Sequence, residues 1–378
     1  MKGINRFLES QEDIQSIIGG FNNGMKEQLV AGLSGAARSI LVSVINQSVN
    51  RPILFVTHQL IQAQQLYEDL TDVLGNNVYL YPVNELISSE IAVASPELLS
   101  QRIEALTKWS ESQSGVLIAP IAALRRILPP SHYWGKYQLV FEVGEEIDIE
   151  QYLSFLIDMG YERTNMVTTP GEFSVRGGII DIYPVTEAHP IRIELFDDEV
   201  DSIRFFDAES QRSMEKEQDI TVGPATELIV TKEDMMAGVN RLEDALSMTL
   251  KKLKKKEEKE KLVESIQEDI ERLKNLEHFQ EMNKYIGFFY EEKTSLLDYM
   301  PSDGIIIFDE MSRIQEVAMN LDKEEAEWYS SLLMSHQMVR DAKFSVDWTT
   351  IWSKVDHQRL YMSVFLRHIP NTQPQNII

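Results

Sequence analysis

The chain has 378 residues, 43% hydrophobic and 25% charged, which is typical of globular proteins and sufficient for two or three domains. Its formal net charge of −24 repels the phosphates of nucleic acids, so nucleic-acid binding is not expected to be its main function. The same charge favours a protein partner with a basic surface. The sequence has no cysteine, no membrane-spanning run and no secretion signal, which excludes disulfides and thiolate metal sites and predicts a cytoplasmic protein without a membrane partner.

The first third of the sequence alternates apolar strands with amphipathic helices. Strands are predicted at 28–33, 52–57, 78–82 and 115–120, and helices at about 36–49, 59–74 and 96–111. Ser95 and Pro96 mark the start of the last helix, because serine is a favoured N-cap and proline fits the first helical position. This alternation predicts an α/β fold with a parallel sheet covered by helices on both faces.

Residues 32–39, Gly-Leu-Ser-Gly-Ala-Ala-Arg-Ser, have the layout of a phosphate-binding loop between the first strand and helix. A working loop reads G-x-x-x-x-G-K-[ST], with backbone N–H groups around the phosphates and a lysine on the β/γ oxygens. Here Ala37 replaces the second glycine, and its Cβ would crowd the phosphate and disfavour a positive φ. Arg38 replaces the lysine, and its broad planar guanidinium cannot substitute for a compact ammonium group. The sequence therefore predicts a P-loop-NTPase-like domain with a degenerate nucleotide loop of Gly32, Gly35, Ala37, Arg38 and Ser39.

A second nucleotide-site pattern comes late in the chain, where an apolar strand ends in Asp309 and Glu310. This is the layout of a Walker-B pair, whose aspartate holds Mg²⁺. Without a working loop we interpret the pair as degenerate, and we expect no catalytic residue, metal or cofactor in this chain. A nucleophile elbow begins at Gly32 and Ser34 but has Ala36 in place of its second glycine, and the seven histidines lack metal-ligand spacing.

From about residue 137 the pattern changes to a small α+β insert. A strand is predicted at 138–143, a helix at 148–159 ended by Gly160, and short strands at 172–176, 178–183, 191–196 and 200–206. Arg163, Phe173 and Arg176 lie on or beside these strands, and arginine with aromatic residues is enriched at interface hot spots. From the residues alone, local ion pairs with the abundant acids are the favoured alternative.

Beyond about residue 223 the sequence becomes helical. Apolar residues at helical spacing flank the charge run 251–261, which predicts a long helical hairpin with a solvated face and leaves a basic nucleic-acid contact as an alternative. A buried strand at 304–310 is expected to rejoin the first sheet, 361–367 could add another strand, and 373–378 is no finished element. We therefore predict three parts: an α/β domain at 1–127, an inserted domain at 128–222, and a helical segment completing the first domain at 223–378.

Several of these segments together carry a family resemblance. They are residues 32–35, 161–163, 173–178, 195–201 and 296–301, the last ahead of 308–310. In this order and spacing they resemble the excision-repair protein UvrB and, more closely, the UvrB-like N-terminal module of bacterial transcription-repair coupling factors (Mfd). UvrB differs in two respects: its loop reads G-L-T-G-S-G-K-T, and it has an aromatic-rich DNA-clamping hairpin where this chain has a short link between Tyr79 and Pro96.

The resemblance implies that the insert recruits UvrA, the partner that would also bind UvrB. Arg163 and Arg176 match arginines of that binding surface and Phe173 matches a neighbouring aromatic, while Ser174 stands where UvrB has an arginine. This reverses the preference for local ion pairs.

The resemblance further implies an N-terminal fragment that lacks a motor. The ATP- and Mg-dependent DNA translocase and the polymerase-interaction domain would lie in missing C-terminal domains, which would contact this module and carry RNA polymerase and DNA binding. Two rival interpretations remain: a UvrB-like ATP-dependent damage-verification helicase, and a coiled-coil scaffold built on the helices of 235–280.

Overall fold

The computed structural model describes residues 11–33, 35–84, 95–111, 114–365 and 374–376. Its first part alternates strands and helices as predicted. The elements are α1 (Glu12–Asn22), β1 (Glu27–Ala31), α2 (Ala36–Val49), β2 (Ile53–Thr57), α3 (Leu60–Leu74), a 3₁₀ turn (Gly75–Asn77), β3 (Val78–Leu80), α4 (Pro96–Glu111), β4 (Val116–Pro120), α5 (Ile121–Leu124) and α6 (His132–Lys136). The link between Tyr79 and Pro96 lies largely outside the described residues.

The middle of the chain forms the insert, in which short strands dominate. Its elements are β5 (Leu139–Glu142), α7 (Ile149–Asp158), β6 (Glu162–Arg163), β7 (Glu172–Arg176), β8 (Ile179–Ile182), β9 (Ile191–Phe196), β10 (Glu199–Phe206), β11 (Ser213–Glu217) and β12 (Asp219–Val222). Helix α7 begins where Asp148 accepts a 3.0 Å hydrogen bond from the backbone N–H of Gln151, and the chain leaves it through Gly160 at φ 86°.

The last part begins with two long helices and then returns to strands. Its elements are α8 (Lys232–Lys252), α9 (Lys256–Lys274), a 3₁₀ turn (Gln280–Tyr285), α10 (Ile286–Phe289), a 3₁₀ turn (Leu296–Tyr299), β13 (Ile305–Asp309), α11 (Met311–Met334), α12 (Trp348–Lys354), β14 (Gln358–Ser363) and β15 (Pro374–Asn376). Residues 366 and 367 of the strand predicted at 361–367 lie outside the described residues.

A seven-stranded parallel sheet of order β15-β1-β14-β13-β2-β4-β3 joins both ends of the described chain. The predicted return of 304–310 to the first sheet is therefore confirmed. Strand β14 alone separates β1 from β13, so the loop after β1 and the carboxylates after β13 end at the same edge of the sheet. The prediction of no element at 373–378 is wrong for 374–376, because these residues pair with the edge of β1 that β14 leaves open.

Helices cover both faces of this sheet, as the alternation of elements predicts. On one face α1, α2 and α3 bury Ile17, Val44 and Leu70 against the strands. On the other face the core contains Ile103 of α4 and Ile314 of α11. Apolar burial on two faces explains why β2, β4 and β13 are buried throughout.

The insert contains a six-stranded sheet of order β11-β10-β9-β8-β7-β6 and a two-stranded ribbon of β12 and β5. All neighbours in the larger sheet are antiparallel except β6 and β7, which run parallel. One face of the sheet is largely apolar, with the fully buried Ile182, Ile191 and Ile193 in its core. The other face carries most of the sheet's charged side chains, and the short strand β6 forms its edge.

Helices α8 and α9 pack as the predicted hairpin, with Leu242 and Leu246 of one helix and Ile266 and Ile270 of the other buried between them. Thr231 and Asp234 form a reciprocal capping box at the start of α8. The coiled-coil scaffold interpretation is wrong, because the residues that the structure describes form three sheets besides this hairpin. No helix in the described ranges has the length and apolar character needed to cross a bilayer.

Candidate functional site

The outer edge of the insert presents Arg163. Strand β6 is held beside β7 by backbone hydrogen bonds from Glu162 N to Gly171 O (2.9 Å) and from Thr164 N to Phe173 O (2.8 Å). Arg163 is exposed, and within the described ranges its guanidinium has no hydrogen-bond or ion-pair partner. A fixed backbone with an unengaged guanidinium suits bidentate binding of a carboxylate on another molecule.

Phe173 is fully buried, 0% exposed, so the expectation that its side chain contacts a partner disagrees with the structure. Strand residues alternate between faces, and Phe173 lies on the same face as its neighbours Ile182 and Ile191. The ring therefore belongs to the core of the insert and packs on the buried face of β7. Ser174, where UvrB has an arginine, is also buried, at 1% exposure, so this position offers no partner contact.

Arg176 combines both alternatives that its sequence left open. Its Nη2 donates to Oδ2 of Asp181 at 2.7 Å, which is a local ion pair, yet 47% of its side chain remains exposed. Asp181 is fully buried and also accepts from Nε and Nη2 of Arg192 at 2.7 and 2.9 Å. Because Arg192 engages both oxygens of this carboxylate, Arg176 is the outer partner and keeps most of its donors available.

The strand register separates the two predicted arginines. Arg163 pairs with Phe173 at the start of β7, while Arg176 ends the same strand three residues later, about 10 Å away. Arg163 shares a register position with the core-facing Phe173, whereas Arg176 lies on the charged face. A partner that contacts both must therefore wrap around the edge formed by β6 and β7.

The segment that the sequence predicts to be a degenerate nucleotide loop lies between β1 and α2. Gly32 adopts φ 91° and donates its N–H to the carbonyl of Ser363 at 3.0 Å, while Gly35 adopts φ 52°, and both conformations favour glycine. Ala37 is exposed in the first turn of α2, and the Ser39 hydroxyl donates to Ala36 O at 2.9 Å. Ser34, the residue of the incomplete nucleophile elbow, lies outside the described residues.

Arg38 meets both carboxylates of the late nucleotide-site pattern. Its Nε lies 3.2 Å from Oδ1 of Asp309, and its Nη2 lies 3.1 Å from Oε1 of Glu310. Val364 N also donates to Oε1 of Glu310 at 2.7 Å. Burial raises the pKa of Asp309 to about 6, an effect that Arg38 opposes and Glu310 reinforces. The guanidinium thus partly neutralises both carboxylates. The sequence assigned all three residues to nucleotide-site patterns, but it did not predict that they are in contact.

A buried ion-pair cluster, which sequence reasoning missed, joins the segment that follows the insert to the α/β domain. Glu227 follows the insert and accepts from Arg102 Nε of α4 at 2.7 Å, from Arg126 Nη2 at 3.2 Å, and from the Tyr81 hydroxyl. Burial raises the pKa of Glu227, but Arg102 and Arg126 outweigh it and hold this pKa below its ordinary value. The only sequence signal was a lone carboxylate in the apolar run 225–230, which by itself names no partner.

Known proteins resemble both the insert and the whole chain. Residues 139–228 match the sequence profile of the UvrB interaction domain family. The chain is 47% identical over 379 residues to the transcription-repair-coupling factor of Bacillus subtilis (strain 168), covering 100% of this chain and 32% of that relative.

Two staphylococcal transcription-repair-coupling factors are also similar. Identity is 33% to that of Staphylococcus haemolyticus (strain JCSC1435), over 88% of this chain and 28% of the relative. It is 35% to that of Staphylococcus aureus (strain USA300), over 82% of this chain and 27% of the relative. The chain therefore spans about a third or less of the length of these relatives.

Proposed function

This chain belongs to the transcription-repair coupling factor family as its UvrB-like N-terminal module, and we propose that it recruits UvrA through the inserted domain. The observation that carries the proposal is the match of residues 139–228 to the UvrB interaction domain, which includes the complete six-stranded sheet. An interaction domain shared with UvrB supports a partner shared with UvrB.

The free guanidinium of Arg163 supports the same proposal. The chain has 60 acidic residues against 36 lysines and arginines, so carboxylates for internal pairing are abundant. Arg163 nevertheless has no internal partner among the described residues, and it lies on an edge strand with a fixed backbone. We assign it as the first anchor for UvrA, with the half-exposed Arg176 as the second.

We further propose that this chain binds no ATP and catalyses no reaction of its own. The contacts of Arg38 with Asp309 and Glu310 support this, because a cation of the protein itself engages both carboxylates of the degenerate Walker-B pair. ATP-driven DNA translocation and release of stalled RNA polymerase would then belong to other parts of the longer protein. This module would bring UvrA, in the cytoplasm, to the place where RNA polymerase is stalled at DNA damage.

A competition pull-down tests UvrA recruitment. The immobilised 378-residue chain should retain purified UvrA, and added UvrB should displace it, because both would use the same kind of interaction domain. Failure to retain UvrA would contradict the proposal. Retention that an excess of UvrB leaves unchanged would place the binding surface outside the inserted domain.

A further inference from the structure

The hairpin between β9 and β10 ends in an exposed aromatic ring. Phe196 is 79% exposed, the highest exposure of a large apolar side chain among the described residues. The ring forms no aromatic pair within those residues, and it is not part of the core of the insert. Exposed aromatic side chains that the core does not need are frequent anchors of protein interfaces.

The strand register places Phe196 on the same face as Arg176. Arg176 is directly opposite Ile179, which is opposite Glu194, and Phe196 follows Glu194 by two residues in β9. Directly paired residues and residues two apart along one strand share a face. Phe196 therefore lies about 10 Å across the sheet and about 7 Å along it from Arg176, within one interface patch.

The turn between β7 and β8 keeps these two positions close. Leu195 N donates to Gly178 O at 2.7 Å. The two backbones are so close that a Cβ on residue 178 would lie 2.7 Å from Leu195 O, so any residue other than glycine would force the backbone apart. The end of the hairpin is held from its other side as well, by hydrogen bonds from Ile147 N to Asp198 O (2.9 Å) and from Val200 N to Glu145 O (2.9 Å). Because its backbone is fixed, Phe196 is preorganised for binding.

Charge around the ring indicates the chemistry of its partner. Asp197, Asp198 and Glu199 follow Phe196 and are all exposed. Arg176, on the other side, carries the positive charge. The complementary surface is an apolar recess with basic residues on the side of the hairpin tip and a carboxylate on the side of β7.

We propose that Phe196 is the aromatic anchor of the UvrA-binding surface, the role for which the buried Phe173 is unsuited, and that it inserts into an apolar recess of UvrA beside the carboxylate that binds Arg176. This inference rests on the proposed recruitment of UvrA. It extends the surface from the β6–β7 edge across the charged face to the β9–β10 hairpin.

Calorimetric titration of UvrA with the full 378-residue chain tests this anchor. Phe196→Ala should weaken binding by about 30-fold or more, the loss expected for a hot-spot residue. Phe196→Trp should retain binding within a few fold, because an aromatic ring remains. Met214→Ala is the matched control: Met214 is 46% exposed on β11 at the opposite edge of the sheet, and its loss should leave the affinity unchanged. Melting temperatures of all three variants should match the wild type, because both side chains are exposed.

The outcomes separate this inference from the proposed function. If the wild type binds UvrA and Arg163→Glu does not, while Phe196→Ala binds like the wild type, the aromatic anchor is wrong and UvrA recruitment stands. Equal weakening by Phe196→Ala and Met214→Ala would also overturn it. If the wild type itself does not bind UvrA, the proposed function and this inference both fail.

Discussion

Nη2 of Arg38 and Oε1 of Glu310 lie 3.1 Å apart although 272 residues separate them along the chain. The two halves of a nucleotide-site pattern therefore meet in space as an ion pair. Arg38 stands where a working loop has its lysine, and its guanidinium is directed to the protein's own carboxylates. This arrangement gives a structural reason to expect a scaffold without nucleotide chemistry.

Titration of the chain with Mg-ATP should give no saturable heat. Arg38 is engaged by Asp309 and Glu310, and Ala37 replaces the glycine at the phosphate path. Isothermal calorimetry at tens of micromolar protein measures this directly. A micromolar dissociation constant that is lost in Arg38→Ala would show that the loop binds nucleotide after all.

Asp309 should make the folding free energy depend on pH. Its pKa is about 6 in the folded chain against 3.8 for an ordinary aspartate, so the protonated form favours folding. The stability from this group is present below about pH 4 and is lost as pH rises through about 6, by roughly 3 kcal/mol in total. The unfolding free energy of the wild type relative to Asp309→Asn should therefore decrease by up to that amount between pH 4 and pH 7.

Urea unfolding of both proteins across this range measures the difference. Asp303→Asn, at an exposed aspartate just before β13, is the control and should follow the wild type at every pH. If the curves of the wild type and Asp309→Asn stay parallel, Asp309 does not titrate as its burial requires.

Glu227→Ala should destabilise the fold by about 3–5 kcal/mol, because it leaves the buried guanidinium of Arg102 without its carboxylate. The exposed pair of Glu104 and Lys108 on the same helix α4 is the control, and Glu104→Ala should cost less than about 1 kcal/mol. Urea unfolding measures both. Similar losses in the two variants would mean that the buried cluster contributes no more to stability than an exposed ion pair.

Binding to DNA should be weak, with a dissociation constant above about 10 µM at physiological salt, and it should weaken steeply as salt is raised. The net charge of −24 opposes phosphate contact, although exposed lysines of 251–261 lie at the turn between α8 and α9. Fluorescence anisotropy with single- and double-stranded oligonucleotides measures this. Tight binding, or a preference for damaged DNA, would favour the UvrB-like helicase interpretation.

Local sequence patterns predicted most of the elements and the architecture of the first sheet. Apolar runs such as 53–57 and 116–120 pack on both faces, so their strands could be recognised without knowing their neighbours. Strand β15 was missed because its three residues carry no apolar pattern, and only the open edge of β1 makes them a strand.

The candidate site was predicted less completely, because the exposure and the partners of its side chains depend on contacts between residues far apart in the sequence. The alternation of Phe173 and Val175 with Ser174 and Arg176 assigns them to two faces, but it does not say which face is covered. The meeting of Arg38 with Asp309 and the cluster around Glu227 depend on the order of strands and on domain packing. The exposure of Phe196 likewise follows from the position of its hairpin.

The affinity of UvrA for two charge-reversed variants tests the central claim most directly. Arg163→Glu and Lys216→Glu make the same change of charge at exposed positions on opposite edges of the six-stranded sheet. Arg163→Glu should weaken binding by at least about 30-fold, because a desolvated charge pair is lost and like charges face each other, whereas Lys216→Glu should stay close to the wild type. With unchanged melting temperatures, wild-type affinity of Arg163→Glu, or equal losses in both variants, would contradict UvrA recruitment through this edge.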